Sequence, residues 1–179
     1  DPGGVVVGNY CTILPYNFGA YTSATTQSGG LELVNALANR AACGTHLIES
    51  GKFYWEINIT GGASTEHRIG VYDERLITSI VAVGPGLYGL RIDKDARTLE
   101  YTTNGADWTL ISGQLLPSWG HLAFYQSTGN SNKEVVFNFG QRTYELPPPD
   151  GYLSLNTTNF EFPAVSDPST CFERVDYTG

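Results

Sequence analysis

One stretch of the chain has a side-chain pattern that permits little other than a β-strand. In residues 50–60 (SGKFYWEINIT) large apolar residues alternate with polar or amphipathic ones, between a Ser-Gly turn and Gly61-Gly62. Successive side chains of a strand point to opposite faces of its sheet, so this period of two predicts one apolar face. The residues predicted to face a core are Phe53, Trp55, Ile57 and Ile59. Such a strand needs a sheet and a core to lie against.

Similar patterns recur along the chain between Gly, Pro and Asn turn signals. They predict further extended segments or strands at residues 5–7, 9–15, 31–35, 66–72, 77–83, 88–92, 99–103, 108–111, 122–126 and 135–139. Residues 36–42 fit one helical turn or a strand, and the turn that follows favours the strand. About ten short strands spaced by about 8–12 residues, with very little helix, indicate an all-β fold. The predicted architecture is a two-sheet antiparallel β-sandwich of the jelly-roll kind.

Size and charge narrow the functional classes. The 179 residues are enough for one domain with a sizeable core, and 10 Lys+Arg against 18 Asp+Glu give a formal net charge of −8. Such a surface repels phosphate backbones and anionic membranes, so we expect no nucleic-acid partner and no membrane insertion. The first four residues, DPGG, are neither a signal peptide nor a start methionine, which favours a piece of a longer protein.

The residues that most often hold metals are few and scattered. Three cysteines lack metal-ligand spacing: Cys11, Cys43 and Cys171. One pair could form a disulfide, but three separate buried thiols are the favoured interpretation. The histidines lack zinc-ligand spacing as well: His46, His67 and His121. No nucleotide-binding loop is present, so we expect no cofactor.

Acidic residues offer two further kinds of chemistry. A glycanase needs paired carboxylates about 5–10 Å apart, for which Glu56 and Glu100 are the candidates. We expect Glu56 instead to be solvated or paired with Lys or Arg, and we name no catalytic residue. Asp93 and Asp95 could form half of a calcium site, since Ca²⁺ takes six to eight oxygen ligands. Two aspartates that cap a turn are the commoner arrangement.

Recognition by loops on a rigid sandwich is the remaining possibility. The aromatic candidates are Trp108 and Trp119, because aromatic rings stack on sugars and anchor protein interfaces. Packing in the core or at a sheet edge is the alternative for both. The other candidate binding residues lie in predicted turns or loops: Tyr72, Asp73, Arg75 and Asn104. Asn104-Gly105 also predicts a hairpin turn, since both residues tolerate positive φ.

Several segments, in order, resemble the SPRY family, whose members are β-sandwiches of concanavalin-like topology. The matching segments are residues 50–60 (SGKFYWEINIT), 68–71 (RIGV), 87–93 (LYGLRID), 99–105 (LEYTTNG), 136–141 (VFNFGQ) and 147–152 (PPPDGY). Between Tyr72 and Leu87 the chain lacks the Tyr-Gly-rich insertion of many SPRY domains. In animal members the loops between strands bind the partner. The resemblance thus implies a SPRY-like core over residues 50–155.

The flanking segments resemble SPRY modules of bacteriophage virion proteins. These flanks are residues 8–12 (GNYCT) and 171–179 (CFERVDYTG), and residues 141–142 (QR) and 155–157 (LNT) resemble the same viral group. We therefore expect residues 1–49 to form a lead-in with the first strands of the sandwich. Residues 156–179 would form an extension or a junction to a following module. Such modules commonly sit in longer tail- or fibre-like chains.

The resemblance implies a non-enzymatic structural and interaction module located in the virion, on a tail, fibre or capsid surface. The implied partners are other virion proteins or copies of the chain itself in a homo-oligomer, with a host-surface glycan or protein as a further possibility. Three alternatives stay open: a carbohydrate-binding module, a concanavalin-like glycanase and a cellular SPRY domain that binds a peptide.

Overall fold

The computed structural model describes residues 9–15, 22–23, 25–35, 40–61, 67–72, 78–115, 121–126 and 133–160. Almost all regular structure in these residues is β. In chain order the strands are β1 (Ile13–Pro15), β2 (Thr22–Ser23), β3 (Thr25–Gln27), β4 (Glu32–Asn35), β5 (Arg40–Leu47), β6 (Lys52–Thr60), β7 (His67–Tyr72), β8 (Thr78–Val83), β9 (Gly86–Asp93), β10 (Thr98–Thr102), β11 (Thr109–Ser112), β12 (His121–Gln126), β13 (Lys133–Asn138) and β14 (Leu153–Ser154). One 3₁₀ turn, Thr157–Asn159, follows β14.

The strands form two sheets. One has the order β1-β5-β12-β7-β8, with β2 pairing parallel to β5. The other has the order β11-β10-β9-β6-β13-β4-β3, with β14 pairing parallel to β6. All other pairings are antiparallel. The predicted all-β, two-sheet sandwich is confirmed.

The core lies where the inner faces of the two sheets meet, and β6 supplies its largest side chains. Phe53, Trp55, Ile57 and Ile59 are all buried, as the period of two predicts. The neighbouring strands β9 and β13 add buried side chains at every second position: Tyr88, Leu90, Ile92, Val135 and Phe137. From the six-stranded sheet come Ile69 and Val71 of β7 and Ala42 of β5.

The chain's two flanks meet within the sandwich. The N–H of Cys11 donates to the carbonyl of Leu155, and the N–H of Thr157 donates to the carbonyl of Asn9. Cys11 and Cys43 are buried thiols outside any disulfide, as predicted, and burial raises the pKa of Cys11. Cys171 lies outside the described residues. Among those residues no helix is long and apolar enough to cross a membrane.

Two local predictions need correction or completion. The strand interpretation of residues 36–42 is confirmed for residues 40–42. The strand β5 runs on to Leu47, an extension that the sequence did not predict because Ala, Cys and Gly carry little alternation signal. The β10–β11 hairpin forms, but it turns through residues 103–108 rather than through a two-residue turn. Only Gly105 of the Asn-Gly pair has positive φ (75°). The predicted strand at residues 5–7 lies outside the described residues.

Truncation of Leu90 tests the packed core. Leu90 has no exposed surface, so we expect Leu90→Ala to lower the free energy of unfolding by about 2–5 kcal/mol through lost burial and a residual cavity. Leu110 is 57% exposed, and the same substitution there should change it by about 0.5 kcal/mol or less. Urea unfolding of both variants measures the difference, and equal losses would contradict this assignment of the core.

Candidate functional site

The outer face of the eight-stranded sheet is the face turned away from the six-stranded sheet, and part of it is covered by the chain itself. The segment after β13, residues 141–149, crosses over β6. We call this segment the strap. As a result Tyr54 and Glu56, on the predicted polar face of β6, are only 0% and 2% exposed. The central strand is therefore buried on both faces.

Glu56 holds the strap in place. Its Oε1 accepts hydrogen bonds from the N–H of Leu146 (2.7 Å) and the hydroxyl of Tyr54 (3.1 Å). Its Oε2 accepts from the N–H of Glu145 (3.1 Å) and from Nδ2 of Asn138 (3.3 Å). The prediction that Glu56 is solvated or paired with Lys or Arg is wrong. Four donors from β6, β13 and the strap replace water around this carboxylate, as a buried charged group requires.

Two tyrosines form the contact between the strap and β6. The ring of Tyr144 meets that of Tyr54 edge-on with centroids 4.8 Å apart, and its hydroxyl donates to the carbonyl of Tyr54 (3.1 Å). Burial raises the pKa of both phenols, and the carboxylate of Glu56 raises it further. Both hydroxyls therefore stay protonated and available as donors. Gly89 makes room for this arrangement, since a Cβ there would lie 2.6 Å from the hydroxyl oxygen of Tyr54.

Glycines permit close contacts at both ends of the strap. Gly140, with φ of 102°, precedes it, and a Cβ there would lie 2.5 Å from the Cβ of Ser154. Near the other end Pro147 packs on Gly105 of the β10–β11 loop, whose absent Cβ would lie 2.5 Å from Cδ of Pro147. Only glycine satisfies both the positive φ and the close approach at these positions.

On one side of the strap the outer face is open and aromatic. The guanidinium of Arg91 lies over the ring of Trp108, 4.1 Å from its centroid, and 5.6 Å from the ring centroid of Tyr152. Arg91 pairs with Glu100 through a 2.7 Å contact, and Glu100 lies opposite Leu110 in the sheet. We call these five residues the Trp108 patch. Trp108 is half-buried, its ring forms a T-shaped pair with that of Tyr54 (centroids 6.3 Å apart), and Leu110 is exposed.

On the other side of the strap lies a recess of about 200 Å³. Its floor includes a row of paired residues from three neighbouring strands, Leu87, Asn58 and Val136. Its wall includes Glu56 and three strap residues: Arg142, Thr143 and Glu145. We call it the strap recess. The sequence did not predict it, since its walls come from segments about 80 residues apart.

The other acidic candidates have local partners. Asp93 accepts a hydrogen bond from the N–H of Ala96 (2.8 Å) and pairs with Nζ of Lys52 (2.9 Å). Burial pushes the pKa of Asp93 up, but these two donors outweigh it, so that pKa lies below its ordinary value of 3.8. Asp93 thus caps its turn, as the commoner interpretation predicts. Asp95 is exposed, and the described part of the chain contains no cluster of three or more His, Cys, Asp or Glu residues that could hold a metal ion.

Among the predicted binding residues, the structure describes the side chains of Trp108 and Asn104. Asn104 is occupied by its own loop, because its Oδ1 accepts from the N–H groups of Ala106 and Asp107 (both 2.9 Å). Tyr72 ends β7, far along the chain from Trp108, and only its backbone is described. Asp73, Arg75 and Trp119 lie outside the described residues.

The residues that build the outer-face surfaces carried a weak sequence signal. Tyr54 and Tyr144 are large aromatics at positions predicted to be polar or in a loop, and a tyrosine on a solvated strand face gains little from its ring. Glu56, which follows Tyr54 on the same face of the strand, is the other indicator. Alternation alone cannot identify a segment that folds over a sheet.

The hydrogen bonds of Glu56 predict a marked cost for Glu56→Gln. An amide has one oxygen, so two of the four donors would face an NH₂ group, at about 1–3 kcal/mol for each unsatisfied buried group. We expect the free energy of unfolding to fall by about 2–4 kcal/mol. Glu145→Gln, on the exposed side chain of the neighbouring strap residue, is the matched control and should change it by about 0.5 kcal/mol or less. Denaturant unfolding checks both, and a Glu56→Gln variant as stable as the unaltered chain would refute the role given to Glu56.

Comparison with known proteins identifies the fold. No protein-family profile matches the chain. The ATP-dependent RNA helicase DDX1 of Xenopus laevis is 32% identical over 68 residues, which are 38% of this chain and 9% of the helicase. The chain thus spans a small fraction of that relative's length.

Two solved SPRY domains share the architecture. The TRIM65 PSpry domain aligns with a TM-score of 0.52 and 10% identity, covering 72% of this chain and 89% of that domain. The SPRY domain of human HERC1 aligns with a TM-score of 0.51 and 14% identity, covering 71% and 99%. Identities this low inform on fold alone and say nothing of a bacteriophage origin. The chain has a SPRY-like β-sandwich fold, as the sequence resemblance predicts.

Proposed function

We propose that the chain is a non-enzymatic module that binds protein partners through surfaces of its sandwich. The observation that carries this proposal is the SPRY-like fold, since the solved SPRY domains align over more than two thirds of the chain. The state of the candidate carboxylates supports it. Glu56 is hydrogen-bonded to the strap and Glu100 is paired with Arg91, so each has a structural role.

The Trp108 patch is the surface we assign to this binding. Arg91, Glu100 and Leu110 lie on strands, and the guanidinium of Arg91 packs on the rings of Trp108 and Tyr152, so these side chains are held in place before a partner arrives. This lowers the entropy cost of association. It combines Trp108, Tyr152 and Arg91, the three residue types that most often dominate interface energetics. Leu110, 57% exposed, adds apolar area beside them.

More specifically, we propose that the module is a bacteriophage virion component on a tail, fibre or capsid surface. The support is the resemblance of residues 8–12 and 171–179 to phage SPRY modules. The partners would be neighbouring virion proteins or copies of the chain, because virion proteins are usually symmetric oligomers. Presentation of a surface to a host protein or glycan fits the same location.

A cellular SPRY domain that binds a peptide is the second candidate. It is supported by the Xenopus helicase, which is 32% identical over 68 residues, and it is consistent with the fold shared with the TRIM65 and human HERC1 SPRY domains. A carbohydrate-binding module has less support. Such a module needs a free aromatic face, and one face of Trp108 is covered by the guanidinium of Arg91.

Mass spectrometry of purified particles separates the virion proposal from the cellular one. We expect peptides of this chain in virions that have been purified through a density gradient, in amounts comparable to those of other structural proteins. Absence from such particles, with the chain present in uninfected cells, would overturn the virion proposal and favour the cellular domain.

Leu110→Asp tests the binding surface. A buried unpaired carboxylate is costly, so we expect this variant to weaken association of the chain with itself or with a particle protein at least tenfold, measured by analytical ultracentrifugation or by incorporation into particles. Leu14→Asp is the matched control, since Leu14 is 51% exposed on β1 of the other sheet. Both variants should fold. Equal association of the two variants would contradict the assignment of the Trp108 patch.

A further inference from the structure

We propose that the strap recess is an anchor pocket for a basic side chain, lysine or arginine, of a protein partner. This inference rests on the proposed function, because it names the chemistry of a partner. It concerns a surface across the strap from the Trp108 patch.

Size favours a single side chain over a free ligand. The recess holds about 200 Å³, whereas sites for independent small molecules typically measure about 300–1,000 Å³. A ligand that fits such a space buries too little surface to bind tightly alone. A side chain carried by a protein surface gains affinity from contacts outside the recess, which is how interface anchors work.

Charge favours a cation. Two carboxylates, Glu56 and Glu145, line the recess against one guanidinium, that of Arg142. Nη2 of Arg142 also lies 3.4 Å from the carbonyl of Phe137, to which it donates. The formal net charge of −8 adds a long-range attraction for basic partners.

The lining fits the two parts of a basic side chain. Leu87 and Val136 are half-buried and offer an apolar floor for methylene groups, which lysine and arginine lay along apolar surfaces. Asn58 lies between them, and its side-chain amide makes no hydrogen bond to the rest of the described chain. Its Oδ1 and the exposed carboxylate of Glu145 supply acceptors for the cationic end.

Titration with short peptides tests the pocket directly. The probes are three capped pentapeptides that differ only at the central residue, which is lysine, norleucine or glutamate. Binding is followed by NMR of the ¹⁵N-labelled chain. We expect saturable shifts with the lysine peptide at the Asn58 side-chain amide and the backbone of Thr143. The norleucine peptide should bind about two- to fivefold more weakly, as expected for loss of an exposed ion pair, and the glutamate peptide should give no saturable shift.

Charge variants of the chain give effects of opposite sign. Glu145→Gln should weaken the lysine peptide about two- to fivefold, and Arg142→Gln should strengthen it by a similar factor. Glu49→Gln is the matched control, because it removes the same charge from an exposed residue that does not line the recess. It should leave the affinity unchanged.

Three results would overturn the inference. The first is the absence of a saturable shift with the lysine peptide up to about 20 mM, a range that covers millimolar dissociation constants. The second is equal binding of all three peptides. The third is an equal effect of Glu145→Gln and Glu49→Gln on the affinity for the lysine peptide. Any of these, with partner association of the chain intact, would leave the proposed function standing. If the proposed function were wrong, the chain would associate with no other protein, while its binding of the lysine peptide would be retained.

Discussion

The carboxylate of Glu56 is the interaction on which the outer face of this sandwich depends. Its four hydrogen bonds connect β6, β13 and the strap, so one buried charge fixes two strands and a loop. A buried carboxylate with fewer donors would be strongly unfavourable, since desolvation would no longer be offset. The strap therefore lies where it does because Leu146 and Glu145 present their N–H groups to this carboxylate.

The strap divides the outer face into two surfaces with shared supports. Tyr54 contacts Trp108 on one side and donates to Glu56, which lines the strap recess, on the other. Because packed side chains do not deform continuously, a displacement of the strap would alter both surfaces together. Under the two proposals, the Trp108 patch and the strap recess would serve one partner that crosses the strap, with aromatic contacts at one end and a basic anchor at the other.

Periodicity predicted the inner half of the fold well and the outer half poorly, for a physical reason. Alternation reports that one strand face is buried, and Phe53, Trp55 and Ile57 obey it. It assigns the opposite face to water, which is wrong for Tyr54 and Glu56, because the segment that covers them follows about 90 residues later. Their partners could be found only once β13 was placed beside β6. The hairpin predicted at Asn104-Gly105 forms, but the contact of Gly105 with Pro147 of the strap was beyond the reach of a local pattern.

Sequence reasoning sought binding residues in loops, whereas the surfaces we propose combine a sheet face with loop residues such as Trp108. The usual objection to a sheet face is that it is flat and gives a partner little to hold. Here the strap removes that objection, because a segment laid across the strands creates walls on both of its sides. Under the proposed function, a partner would be oriented by the strap as well as by the strands, and its specificity would come from the contrast between an aromatic patch and an acidic recess.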